Sequence, residues 1–371
     1  MKKLVIISGI VNCLILILVV STLDNSDKII YTNNKSNKVV NANSLTMMYE
    51  TEAGSGEYTV SSDTSWPQED YIFNSELSGC ENGGTLLWNS ETNRVVMQTN
   101  SSDRFYVYFD VYELPTLANY IKSLYTEDGV NGLYFHDGSG SYTNFNLEAG
   151  DNSYRYTGAN PNNYVCFGSD VTPCPNDNLY RIIGIFNIND NYQTKLIKNT
   201  SIGKYAWNTE YTTEWNTSDI RVILNNTYYN SLSGKYQNLI YNTTWSIGGI
   251  RLMNGMYSNA KEAYNYEIGA NKVNKTDIAK VALMYLSDYY YSASPTYWNY
   301  SGNNIDDQSQ SYASAKNENW IFSRLDEFTL SYIIDFSSFI FTITDSGAIN
   351  SASSPFIPQN DVRPSFYLNS D

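Results

Sequence analysis

The sequence predicts an α+β protein: an N-terminal apolar helix and a small all-β unit lead into a larger mixed domain of many short strands and few helices. Three observations predict it. An uncharged apolar run fills Leu4–Val20, strand-like runs separated by Asn/Asp/Ser turns follow between about 85 and 109, and two later stretches carry helical apolar spacing among many short strand patterns.

The N-terminal run follows Lys2 and Lys3 and is followed by Asp24. A basic start before an apolar core is a signal sequence or signal anchor, and roughly 17 residues is the lower limit for a bilayer-spanning helix. The charge asymmetry keeps the N-terminus in the cytoplasm and sends residues from about 24 onward outside. Val19–Ser21 is a poor cleavage site, which favours retention by a small margin. Cys13 reads as one more apolar residue of the run. The expected location is the cell membrane with an extracellular C-terminal part, or secretion if the leader is cleaved.

Composition narrows the exported part. The 371 residues carry a formal charge of −15, and 34 tyrosines stand against one histidine. Such acidity argues against nucleic acid or anionic lipid as a partner for the exported part. Tyrosine, with an apolar ring and a polar tip, fills half-buried strand positions and builds contact surfaces. Cys166 and Cys174 bracket CFGSDVTPC, where Gly168 and Pro173 turn the chain back, so a disulfide is expected there. Its contribution would be about 2–3 kcal/mol by loop entropy. Cys80 is buried or pairs with another molecule.

In chain order, residues 21–46 are polar and rich in Asn, Ser and Lys and read as a flexible stalk. Residues 47–112 read as the all-β unit, with strands at Leu86–Trp88, Val95–Met97 and Phe105–Phe109. A helix is expected after Pro115, with Leu117, Tyr120, Ile121 and Leu124 on one face. Residues 113–371 form the mixed domain. Within it Tyr180–Phe186 and Gln193–Ile197 make a hairpin around an Asn/Asp turn. A second helix begins at a cap among Thr217, Ser218 and Asp219 and turns Ile220, Ile223, Leu224 and Tyr228 inward. Phe339, Phe341 and Ile343 alternate before a turn at Asp345–Gly347, and a last strand covers Ser365–Leu368.

Catalytic patterns are scarce. His136, in LYFHDG, reads as a surface-loop histidine, and a Ser/His/Asp triad would have to use it. Asp306/Asp307 and Asp326/Glu327 are candidate acid–base pairs for glycoside hydrolysis, but adjacent residues point different ways and solvated acidic loops explain them better. Neither Cys166 nor Cys174 has a second ligand at metal spacing. Asn304, Asp306 and Asp307 offer oxygens to calcium without an ordered ligand spacing. No cofactor or metal is expected.

Binding features are richer. Residues 289–312 mix Tyr289, Tyr291, Tyr297, Trp298 and Tyr300 with Asn303, Asn304, Asp306 and Asp307. Trp298 and Tyr300 offer faces to sugar rings, and Asn303, Asn304 and Asp306 offer groups to hydroxyls. The same composition suits contact with a protein, or a loop packed onto its own domain.

The segments YRYTGANPNNYVCFGSD (154–170), DNLYRIIGIF (177–186), KVALMYLSDYYYSAS (280–294), NWIF (319–322) and DVRPSFYLNSD (361–371) resemble a domain-of-unknown-function family of exported proteins of Gram-positive, often gut, bacteria. That family is remotely similar to the fold shared by C-type lectins and formylglycine-generating enzymes. The remote link rests on Trp320, the hairpin at Phe339–Ile349, and Val362-Arg363-Pro364 before the last strand. The resemblance implies a C-type-lectin-like domain, and a second cysteine near position 105, where this chain has Phe105. Formylglycine chemistry is excluded, because it needs late cysteines and none follows Cys174. The expectation is a non-enzymatic surface or secreted protein that binds an extracellular glycan or protein. The alternatives are a structural subunit of an envelope or pilus-like assembly and a carboxylate-dependent glycan-active enzyme.

Overall fold

A computed structural model describes residues 30–31, 44–60, 71–81, 85–89, 94–98, 104–111, 116–140, 146–210, 212–247, 249–302, 311–335, 339–352 and 356–369. The apolar leader lies outside these residues. The chain divides into two compact units, with the division after Pro115 rather than at 112/113.

The first unit holds β1 (Ile30–Tyr31), β2 (Ser44–Glu50), β3 (Tyr58–Val60), β4 (Tyr71–Cys80), β5 (Thr85–Asn89), β6 (Arg94–Gln98) and β7 (Arg104–Val111). One sheet has the order β3-β2-β7-β4 and a second the order β1-β6-β5. Strand β7 shows why: Phe105, Val107 and Phe109 alternate inward and, with Met47, make the small core. The expected strands around 87, 96 and 107 are all present, whereas β4 was not anticipated from the sequence. The stalk reading needs correction at both Ile30–Tyr31 and Ser44–Thr46. Strand β2 begins at Ser44 because it lies parallel to β7, pairing Ser44 with Arg104 through Tyr49 with Phe109. Those ladder bonds outweigh a locally polar composition. Cys80 lies opposite Phe105 across the β4–β7 pair, the position at which the resemblance implies a second cysteine.

The second unit opens with α1 (Leu117–Leu124). Thr116 caps it, its Oγ1 accepting from Asn119 N at 3.2 Å. Ile121 and Ala118 are buried, and Leu117 and Leu124 pack on the core beside them. Strands β8 (Leu133–His136), β9 (Ser153–Tyr156), β10 (Tyr164–Cys166), β11 (Leu179–Ile188) and β12 (Asn191–Lys198) follow, then β13 (Lys204–Tyr205). The β11–β12 hairpin forms as expected, its turn made by Asn189 and Asp190 at φ 52° and 67°, the left-handed pair such two-residue loops require. Cys166 and Cys174 form the expected disulfide, with Cα atoms 5.7 Å apart.

The second expected helix is also present. Ser218 caps α2 (Asp219–Val222), its Oγ accepting from Arg221 N, and the chain runs on through a π-helical stretch (Ile223–Tyr228) and a final turn (Tyr229–Ser231). Ile220, Leu224 and Tyr228 are buried, and Ile223 is half-buried. Beyond it come α3 (Gly234–Asn238), β14 (Thr243–Ser246), α4 (Leu252–Tyr257), α5 (Ala260–Glu267), β15 (Thr276–Ala279) and α6 (Leu286–Tyr291). The chain then supplies β16 (Glu327–Tyr332), β17 (Ile340–Ile343), β18 (Ile349–Ala352), β19 (Asn360–Asp361) and β20 (Ser365–Tyr367).

The central sheet has the order β20-β12-β11-β9-β8, with β10 also on β11, and a second sheet runs β13-β19-β16-β17-β18. The unit is therefore α+β. Two buried arginines tie its pieces. Arg181 on β11 bonds Asn163 Oδ1, Pro161 O and Trp320 O, and its guanidinium lies 4.2 Å from the Tyr164 ring centre. Arg363 makes a two-pronged pair with Glu327 at 2.6 and 2.8 Å.

Strand β9 pairs with β11 at Gly184, where an added Cβ would lie 2.3 Å from Tyr154 O and 3.0 Å from Arg155 Cα. Gly184→Ala is therefore expected to lower unfolding free energy by about 1–3 kcal/mol, the usual range for overpacking. Denaturant unfolding of the variant checks this, and an unchanged midpoint refutes it.

Candidate functional site

The aromatic stretch singled out for ligand binding is turned mostly inward. Tyr289, Tyr290 and Tyr291 on α6 are all buried, and each hydroxyl donates to a carbonyl of a distant segment: Gly347 at 2.8 Å, Ser258 at 2.9 Å and Leu147 at 2.8 Å. Trp298 is a core ring and not an open sugar platform. It is fully buried, its Nε1 donates to Ala293 O at 3.0 Å, and it packs against Tyr134, His136 and Tyr291. Tyr300 is half-buried, edge-on to Tyr297 at 5.2 Å. Asn303, Asn304, Asp306 and Asp307 lie outside the described residues.

His136 corrects the surface-loop reading. It ends β8 with its side chain fully buried between Tyr291 and Trp298, at 4.8 and 5.2 Å between ring centres. Strand β8 is the edge strand beside β9, and Leu133 and His136, on its opposite faces, are both covered, His136 by Trp298 and Tyr291. Nδ1 accepts from Ala149 N at 3.3 Å, so Nε2 carries the hydrogen, and no acceptor meets it. Burial, aided by the Arg155 charge, pushes its pKa down from 6.5 to about 3. The Asp326/Glu327 pair is likewise divided. Asp326 accepts from Asp345 N, while Glu327 is held by Arg363 and Ser323.

The densest chemistry is a buried charged centre that the sequence did not point to. Lys195 on β12 reaches Asp288 on α6 with Nζ 2.6 Å from Oδ2, and both side chains are almost wholly buried. Arg155 on β9 lies 3.7 Å from Asp288 Oδ1 through Nη1, and its Nη2 bonds Asp151 at 2.6 Å. Asp288 Oδ2 also accepts from Tyr285 N at 2.8 Å, closing the first turn of α6. Glu267, at the end of α5, sits on the same turn, accepting from Leu286 N at 2.7 Å, Ser287 N at 2.9 Å and the Ser331 hydroxyl. Burial pushes its pKa up from 4.5 to about 7, and burial lowers that of Lys195. The legible signal for the centre was a single Lys or Arg at an inward position of an otherwise apolar strand, as in TKLI and YRY.

Two cavities open nearby. One, of about 240 Å³, is lined by Trp245, Tyr264, Tyr285 and Tyr367, with Asp151 and Lys272 at its edge. The other, of about 390 Å³, is a cleft between the end of α1 at Leu124, the 131–132 turn and the loop after β9. It is lined by Asn131, Tyr156, Thr157, Asn160, Pro161 and Asn162. The amides of Asn131, Asn160 and Asn162 stand at exposed positions, while the Tyr156 hydroxyl is buried with no hydrogen-bond partner. Asn163, the next residue of the loop, is fixed from beneath by Arg181.

Among the described residues no cluster of His, Cys, Asp or Glu is placed to hold a metal ion, and no helix is long and apolar enough to cross a membrane. Comparisons with family models, curated proteins and solved structures find no match for this chain.

Two outcomes follow. His136 binds its proton in the unfolded chain first, so its contribution to stability is present above pH 6.5 and is lost as pH falls toward 3. His136→Phe is expected to flatten the stability–pH curve over that interval, measured by urea titrations at each pH. Glu327→Gln breaks a buried pair and is expected to cost about 3–5 kcal/mol, read from the same titrations.

Proposed function

We propose that the chain is a non-enzymatic, exported binding protein whose 116–371 unit holds an extracellular glycan or peptide in the cleft beside β9. The observation that carries this is the cleft itself. Three exposed asparagine amides line its mouth above the buried Tyr156 and Thr157, so a hydroxyl- or amide-bearing ligand would meet polar groups across a concave surface. Of the carboxylates the sequence offers for hydrolysis, Glu327 is held by Arg363 and Asp326 accepts from Asp345 N. Export is supported by the Cys166–Cys174 bridge, which suits an oxidising compartment. A C-type-lectin-like topology belongs to the same proposal. Its support is the order Trp320, hairpin β17–β18, then Arg363 and a strand β20 that returns to the central sheet.

The test is a glycan and host-matrix array probed with the exported chain, with calcium and again with chelator. Specific binding should fall roughly tenfold, equivalent to about 1.4 kcal/mol, in Asn160→Ala and in Asn162→Ala. A blank array with a folded sample favours the structural-subunit reading, and binding indifferent to both variants removes the cleft from the proposal.

A further inference from the structure

Lys195 and Asp288 meet in a setting unlike that of an ordinary ion pair. The Nζ–Oδ2 separation is 2.6 Å, and four rings close around the amine: Tyr285 at 4.6 Å, Trp245 at 5.3 Å, Tyr367 at 5.5 Å and Phe186 at 5.6 Å. The same four rings line the 240 Å³ cavity, so they stand between it and the amine. The enclosure excludes water, and burial lowers the affinity of Lys195 for its proton. An amine and a carboxyl group, the two reactants of an amide, are thus held in contact. Fixed proximity of this kind replaces a bimolecular encounter.

We infer that Lys195 and Asp288 form an intramolecular amide cross-link between β12 and α6, with Arg155 and Glu267 assisting its formation. The bond made is Nζ–Cγ, and the bond broken is Cγ–Oδ2. As the step begins the Nζ proton passes to Oδ2 across the 2.6 Å contact, the amine so freed attacks Cγ, and negative charge gathers on Oδ1, the oxygen that faces the Arg155 guanidinium at 3.7 Å. Glu267 takes the surplus proton from the nitrogen and returns it to the departing hydroxyl, which leaves as water, so Glu267 ends as it began. Its placement suits that task. The two carboxyl groups sit on the backbone amides of one helical turn, Asp288 on Tyr285 and Glu267 on Leu286 and Ser287. Burial raises the affinity of Glu267 for a proton, and its charge acts on Lys195. No oxidant, metal or cofactor enters the balance. The inference does not depend on the proposed ligand cleft.

The cross-link is read by mass spectrometry on the folded, reduced full chain and its tryptic peptides. Tryptic cleavage after Arg181, Lys198, Lys280 and Lys316 should give residues 182–198 joined to residues 281–316, with Lys195 uncleaved and the pair lighter by one water than its parts. Asp288→Asn should give the same joined peptides lighter by one ammonia, because the amide nitrogen of asparagine becomes the leaving group. Glu267→Gln should leave most of the chain unjoined while near-ultraviolet dichroism reports a folded core. Two results overturn the inference. One is recovery of residues 182–195 and 281–316 as separate peptides from folded wild type. The other is loss of water without joined peptides, which marks an internal ring at an Asp. Asp288→Asn provides the control that preserves side-chain shape, so failure of a harsher variant to fold does not decide the matter.

Discussion

The charged cluster around Asp288 is the constraint on which the larger unit depends. A carboxylate withdrawn from water costs several kcal/mol unless its partners are supplied, and here they come from β9 as Arg155, from β12 as Lys195 and from the main chain at Tyr285. Each partner sits on a different element, so α6 can dock only where the central sheet already places both cations. Glu267 adds α5 to the same assembly through the α6 amides, and Ser331 brings β16. A helix of six residues, too short to be stable alone, is thereby held at the middle of the unit.

The tyrosines explain how so aromatic a chain builds an interior. A phenylalanine core would pack as well but could not answer the carbonyls that short strands and loops leave inside. Tyr289, Tyr290, Tyr291 and Tyr285 each fill space with a ring and close a main-chain acceptor at the far end. The abundance that suggests a contact surface in the sequence is, over 285–291, spent on interior hydrogen bonding.

Local signals were legible where local chemistry decides. The β11–β12 hairpin has its Asn-Asp turn, α1 and α2 have their apolar faces, and the Cys166–Cys174 loop has its short span. Features set by distant partners were not. Strand β2 extends into an apparently polar stalk because β7 offers it a ladder, and β4 is polar along much of its length. His136 sits beside Asp137 and Gly138, which mark a turn, yet its own ring faces Trp298, a residue far along the chain. Trp298 reads as an exposed platform for the same reason in reverse. The cleft was illegible because its lining comes from a helix end, a turn and a loop whose meeting is a tertiary fact.

The position of β20 bears on how such a chain is made. Residues 362–368 supply Val362, Phe366 and Leu368 to the core, Arg363 to Glu327, and the ladder partner of β12. The sheet begun by residues near 133 therefore stays open until synthesis has passed residue 368. A chain emerging from the ribosome has no finished core to lose if it is held extended in the meantime. Closure of the core is postponed by topology alone until the last strand has been made.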